Sequence, residues 1–348
     1  MGSEICPVCG SKRKKTAVSA YDCENCGFEN AYATYFAGEK SFAAWNERAL
    51  AAKKKYSLLK AEEDIRTGTF ALGGNAVSFV SLKTGRLTAV FGDGHTETAE
   101  NVKQISFGER NYAVLYNNGK VKVFGDDNTY GQKNTAEWLG MKYVLATSSC
   151  VYGVTADGEV WTAGMLAGEN VSAFRGVAKL SGGAEYVAAL TKDGRVLVDG
   201  NLPDASFSAD VSAWKNVRDI AASRNGLLAL HADGTVSFAG KKNDTRKAAE
   251  LWRGVEAIAS DGVFAVGVTR GGELLLAGSC KAFLDKGRSG ARDWKDVISV
   301  ACNQSGIGAV TKNGELLFAG AVSGDIDKIK SAWRNSVVST FGHTKIDF

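Results

Sequence analysis

Four cysteines fall within the first 26 residues, as Cys6-Pro7-Val8-Cys9 and Cys23-Glu24-Asn25-Cys26. A C-x2-C turn aims two sulfurs at one point, and the glycine after each pair (Gly10, Gly27) permits the close backbone approach such a turn needs. Two pairs together close a tetrahedral thiolate set that suits Zn2+ and leaves no position open for water. The expected site is therefore one structural Zn2+ held by Cys6, Cys9, Cys23 and Cys26. A redox C-x-x-C belongs at a helix start in a βαβ setting, which is missing here, and a cytosolic disulfide would be out of place. Cys150, Cys280 and Cys302 stand at or near strand positions that favour small residues, and they read as packing.

Between the pairs lies Lys12-Arg13-Lys14-Lys15, and Lys53-Lys54-Lys55 follows. A basic loop on such a metal-held module would contact nucleic-acid phosphates. Residues 1–66 carry 11 Lys and Arg against 9 Asp and Glu, a net of only +2, so a solvated loop competes with that reading. Residues 1–30 resemble the zinc ribbons of prokaryotic multidomain proteins. The chain has three histidines, His95, His231 and His343, in separate stretches, and no spacing suggests a Ser-His-Asp or Cys-His pair. No phosphate-binding glycine loop appears. Nothing in these residues supports an enzyme.

The elements that must carry these residues follow from composition and period. With 41 Gly and 2 Pro in 348 residues, the chain reads as β-rich with many tight turns. It is 45% hydrophobic and 23% charged, enough for a large core, and its formal charge of +4 does not by itself argue for a polyanion partner. No apolar run is long enough to span a membrane and the first residues lack a signal-peptide core, so a soluble cytoplasmic protein is expected. Residues 31–66 form a connector. Its stretch from Ser41 to Asp64 has helix composition, with Phe42, Trp45, Ala49, Ala52, Tyr56 and Leu59 on one stripe.

From residue 67 the chain repeats. A two-residue turn recurs as Thr84-Gly85, Asn118-Gly119, Asp157-Gly158, Asp193-Gly194, Asp233-Gly234, Gly271-Gly272 and Asn313-Gly314, which predicts type I′ hairpins. Each outer strand ends in a glycine (Gly92, Gly125, Gly164, Gly200, Gly240, Gly278, Gly320). A third strand precedes each hairpin, opened by an aromatic residue at Trp138, Phe174, Trp214, Trp252, Trp294 and Trp333. Small residues then follow, as in Ile220-Ala221-Ala222, suiting an innermost strand near an axis. Seven units of about 40 residues are the blades of a β-propeller. The fold class is all-β, with a seven-bladed propeller over 67–348. The tail from Ser336 begins an eighth copy, and it is expected to close the ring by pairing into the blade begun near residue 70.

Gly125-Asp126-Asp127-Asn128-Thr129-Tyr130-Gly131-Gln132, the aromatic-x-x-Val-x-x-Ile opening and the Asp-Gly hairpin resemble the regulator of chromosome condensation repeat, in its short-repeat bacterial form. The resemblance spans residues 67–348 and implies a propeller. It does not carry nucleotide exchange over to this chain. Strand direction places the loops after the inner strands and after the outer strands at one end of the ring, opposite the hairpins. These loops vary in length and composition, which predicts a partner-binding face made of Glu109, Arg110, Asn111, Tyr130, Glu185, Tyr186, Arg224, Asn225, Asp261, Phe264, Gln304 and His343. The leading expectation is a non-enzymatic module that binds a partner protein, with the ribbon and helix adding a second contact. One alternative is a nucleic-acid accessory factor using Lys12, Arg13, Lys14, Lys15, Lys53, Lys54 and Lys55. Another is an inhibitor-like binder of an enzyme.

Overall fold

A unit with one strand buried on both faces cannot stand alone, and here seven such units stack side by side. The computed structural model describes residues 14–17, 20–22, 29–31, 47, 50, 51 and 69–333, apart from 74–75, 82–83, 166–169, 184, 242–243, 262–263, 280–288, 304–305 and 321–324. One compact unit spans Asp64–Arg334. It holds seven consecutive antiparallel sheets, the first four-stranded and the other six three-stranded. Blade 1 is β4 (Thr69–Leu72), β5 (Ala76–Ser81), β6 (Arg86–Phe91) and β7 (Thr96–Ala99). Blade 2 is β8 (Val102–Phe107), β9 (Asn111–Tyr116) and β10 (Val121–Gly125), and blade 3 is β11 (Met141–Ala146), β12 (Cys150–Thr155) and β13 (Val160–Gly164). Blades 4 to 7 repeat the pattern, from β14 (Val177–Gly182) to β25 (Leu316–Gly320). Middle strands such as Tyr186–Thr191 are buried at every residue because neighbouring blades cover both faces, which is why they read as unbroken apolar runs.

The inner strands form a ring in which each lies against the next, and the last, Val297–Asn303, lies against β4. Side chains stitch these strands together where no ladder runs between blades. The Gln104 amide donates to the Val144 carbonyl at 2.9 Å and accepts from the Val144 N–H at 3.0 Å. The Ser106 hydroxyl accepts from the Ala146 N–H, and Tyr143 donates to the Leu180 carbonyl. At the seam the Asn303 amide donates to the Gly73 carbonyl at 3.0 Å.

The hairpins differ from the expected type. In blade 2 the Gly119 N–H donates to the Tyr116 carbonyl, and the Tyr116 N–H donates to the Lys120 carbonyl. Asn117, Asn118 and Gly119 therefore form a three-residue loop, and only the glycine has positive φ, at +78°. The same pattern closes the hairpins of blades 3 to 7, so these are turns followed by a glycine bulge, not type I′ turns. The reason lies outside the hairpin. The turn glycine's carbonyl accepts the first N–H of the next blade's inner strand, as Met141 to Gly119, Val177 to Gly158 and Val217 to Gly194. Just before that N–H stands a residue of positive φ: Asn101, Gly140, Gly176, Asn216, Gly254 or Asp296.

At the seam between the last and first blades the described residues show the packing that recurs round the ring. The aromatic residue that opens each copy packs between two blades: Trp138 lies beside Gly153, and Trp252 beside Gly267. Trp333 ends the helix Ile326–Trp333 and does this for blade 1, edge-on to Phe70 and Phe79 at 5.9 and 6.3 Å. Its indole N–H donates to the Gly314 carbonyl of blade 7 at 2.9 Å. Among the described residues, this side chain, the Asn303–Gly73 bond and the packing of Val297–Asn303 on β4 hold the seam. The tail 336–348, including His343, lies outside the described residues.

The other unit contains a three-stranded antiparallel sheet, β1 (Lys14–Ala17), β2 (Ala20–Asp22) and β3 (Glu29–Ala31). Lys14 and Lys15 thus stand in a strand and not in the expected loop. Cys6, Cys9, Cys23, Cys26, Lys12, Arg13, Lys53, Lys54 and Lys55 lie outside the described residues. Of the connector helix, residues 47, 50 and 51 are described, and all are helical.

Candidate functional site

The outer strand of each blade ends beside the loop that joins its inner and middle strands. The contact is backbone to backbone: Met165 N–H to Ser149, Asn201 to Glu185, and Lys241 to Asn225. Gly125 makes the equivalent approach with φ at +112°, where an added Cβ would collide with the Arg110 carbonyl. The two loop sets therefore share one end of the ring, as strand direction requires.

Of the expected contact residues, Glu109, Arg110, Glu185 and Arg224 are exposed, and Asn225 and Asp261 are partly so. Tyr130 projects with half its surface exposed. Three others are corrected by the structure. Tyr186 is buried, edge-on to Phe207 at 5.2 Å, with its hydroxyl donating to the Gly226 carbonyl. Phe264 is in the core between blades 6 and 7. Asn111 is buried against Gly125. Each begins a middle strand, and that strand is covered on both sides. Gln304 lies outside the described residues.

The loop carrying Tyr130 is held from within. Asp127 accepts from both the N–H and hydroxyl of Thr129, and these bonds hold its carboxyl below the usual range. Asn128 accepts from the Lys133 N–H. Gln132 is fully buried, accepting from the Tyr130 N–H at 3.0 Å and reaching the Ser148 carbonyl of blade 3 at 3.5 Å. Met165, 52% exposed, leaves blade 3 beside Gly164, against which the Gln132 side chain lies. Tyr130 and Met165 are therefore two exposed apolar side chains at the loop end of blades 2 and 3, and Arg110 and Lys133 lie near Asp127 in the Tyr130 loop. Met165 was not among the expected residues, although it follows a strand-ending glycine in a copy of known phase.

Further round the ring, buried Arg246 makes a bidentate pair with Asp244 and donates to the Ser223 hydroxyl. Between the inner strands of blades 4 and 5, Lys179 pairs with Asp219. Desolvation opposes the Lys179 charge, but Asp219 and Tyr143 together outweigh it and the ammonium pKa is raised. These polar groups tie blades together. His231 has Lys215 O and Ser237 Oγ at 2.8 Å from its two ring nitrogens, and His95 stacks on Phe91 and bonds Asp93. Among the described residues no three His, Cys, Asp or Glu side chains are placed to hold a metal.

Seven sheets in a ring, joined by side chains and turn glycines, make this unit a β-propeller. Its second blade with the following loop, residues 102–132, matches the family model of the regulator of chromosome condensation (RCC1) repeat. The structure is similar to the CRINKLY WD40 ectodomain of the Arabidopsis thaliana receptor kinase ACR4, at 14% identity and a TM-score of 0.54, over 74% of this chain and 95% of that one. It is also similar to Prp20p of Saccharomyces cerevisiae, at 15% identity and a TM-score of 0.50, over 76% of this chain and 84% of that one. At such identities the likeness is one of fold. No curated protein matches the chain. Together these findings support a propeller of the RCC1 type.

Proposed function

We propose that the chain is a non-enzymatic protein-interaction module whose propeller docks a partner through its loop face. The observation that carries this reading is exposed Tyr130, on a loop pinned by buried Gln132, with exposed Met165 following the outer strand of the next blade. Rigid aromatic and thioether side chains with a charged rim are what interface hot spots are made of, and a pre-ordered loop loses little entropy on binding. Prp20p, of similar fold, is described with binding properties toward Gsp1p and histones, which supports a protein as the class of partner. The test is affinity capture from host extract with the wild type and with Tyr130→Ala/Met165→Ala. The specific partner should fall by about tenfold or more, with no change in melting temperature. Retention at the wild-type level would place the contact elsewhere.

The same proposal gives the N-terminal region a structural zinc ribbon in a reduced, cytoplasmic setting. Two C-x2-C pairs around a short antiparallel sheet support it. Metal analysis should find one Zn2+ per chain, and Cys6→Ser/Cys23→Ser should remove it.

A further inference from the structure

Seven blades need seven fillers between them, and the described residues supply six. The aromatic residue stands three positions before the first inner-strand residue: Trp138 before Met141, Phe174 before Val177, Trp214 before Val217, Trp252 before Val255 and Trp294 before Val297. Trp333 fills the place before blade 1. The corresponding position before Val102 is Ala99. The backbone there is otherwise complete, since the Val102 N–H donates to the Gly85 carbonyl and Asn101 has the usual positive φ of 59°. What differs is that the connector runs as strand β7, with Ala99 opposite Leu87.

The result is a hollow of about 180 Å3 between blades 1 and 2. Leu87, Ala89 and Ala99 line one side, where Val121 and Val123 face Trp138 at the next interface. The other side carries Phe107, Tyr112, Tyr116 and Phe124. Blade 3 has Ala146, Val151, Thr155 and Ala163 at these positions, small enough to admit Trp138. The larger walls of blade 2 narrow the slot without closing it, and Tyr112 stacks on Phe124 at 5.1 Å. An apolar cavity of about 150 Å3 is enough for a benzene ring. Exposed Glu97 also lines the hollow, near His95 and Tyr112, and offers a charged acceptor in a largely apolar wall that also carries Thr98 and the tyrosines Tyr112 and Tyr116.

We propose that this interblade slot is an acceptor site for an aromatic side chain, tryptophan above all, carried by a partner protein and inserted from outside the ring. The six filled interfaces show what chemistry the slot takes, and the finished backbone at Asn101 and Val102 means that only a side chain is missing. Glu97 favours indole over phenyl because it can accept the indole N–H. Phe107 and Tyr112 flank the loop of Glu109 and Arg110, but the slot depends on the empty interblade position and stands whether or not Tyr130 and Met165 bind.

The full chain should be titrated with N-acetyl-tryptophanamide, N-acetyl-leucinamide, free indole and tetramethylammonium, with ligand-observed NMR as the readout. Saturable binding of the tryptophan derivative, at least about tenfold tighter than that of the leucine derivative, is expected. Ala99→Trp supplies the plug in cis, so it should abolish that binding and raise the melting temperature. Ala89→Leu narrows the slot from the blade 1 side and should weaken binding even if Ala99→Trp does not fold. The proposal is overturned if the two amides bind alike or if binding survives in whichever variants fold. It is equally overturned if indole binds and its tethered form does not, which would mean a free small molecule, or if tetramethylammonium binds best, which would mean a cation cage.

Discussion

Tyr186, Phe264 and Tyr130 are aromatic residues next to loops, and only the last faces solvent. The difference lies in strand phase. Tyr186 and Phe264 open middle strands and enter the space between blades, whereas Tyr130 follows an outer strand. Gln132 shows the converse, a polar residue in a polar loop that is fully buried because it bonds across to the next blade. Cys150 follows the same rule at the start of a middle strand, and burial pushes its thiol up to about 11. A raised thiol pKa leaves almost no thiolate at pH 8, so Cys150 should resist iodoacetamide in the folded chain and react once the chain is unfolded. Mass spectrometry of the tryptic peptide would show it, and rapid native labelling at pH 8 would contradict the burial.

At the level of the element, the hairpins show how far local preference reaches. Asn-Gly and Asp-Gly suit both a type I′ turn and a three-residue loop with a glycine bulge, so the dipeptide alone leaves both open. The choice falls to the bond from the next blade, which needs the glycine carbonyl in one place. Gly158→Ala would put a Cβ at 2.5 Å from the Val177 nitrogen on a residue with φ of +82°. It should cost about 2 kcal/mol or more. Asp157 has no positive φ, and Asp157→Ala should cost less than about 1 kcal/mol. Urea denaturation of the two variants measures both, and equal costs would restore the type I′ turn. The strands themselves were legible because alternation and continuous apolar runs report burial directly. Turn type was not, since its deciding partner is some 20 residues away in another blade.

At the scale of the whole propeller, Trp333 is the largest side chain at the seam among the described residues. It is 1% exposed and touches the first and last blades at once. Trp333→Ala should destabilise the propeller by about 3–5 kcal/mol, more than expected of a residue outside any sheet. Thermal melting would detect it, and an unchanged midpoint would mean that other contacts hold the seam. The aromatic series was visible in the sequence, but its first member stands at 138, and the vacancy at Ala99 has meaning only once seven blades are seen to need seven fillers. By itself the sequence determined the three-strand repeat, the number of its copies and the end of the ring where loops gather, because these depend on period and on local turn chemistry. The tertiary structure alone decided which loop residues face solvent, which turn each hairpin adopts, what Trp333 packs against and where the described ring is left unfilled. Those outcomes depend on side chains and carbonyls brought together from different copies of one repeat, and no single copy contains both halves of the contact.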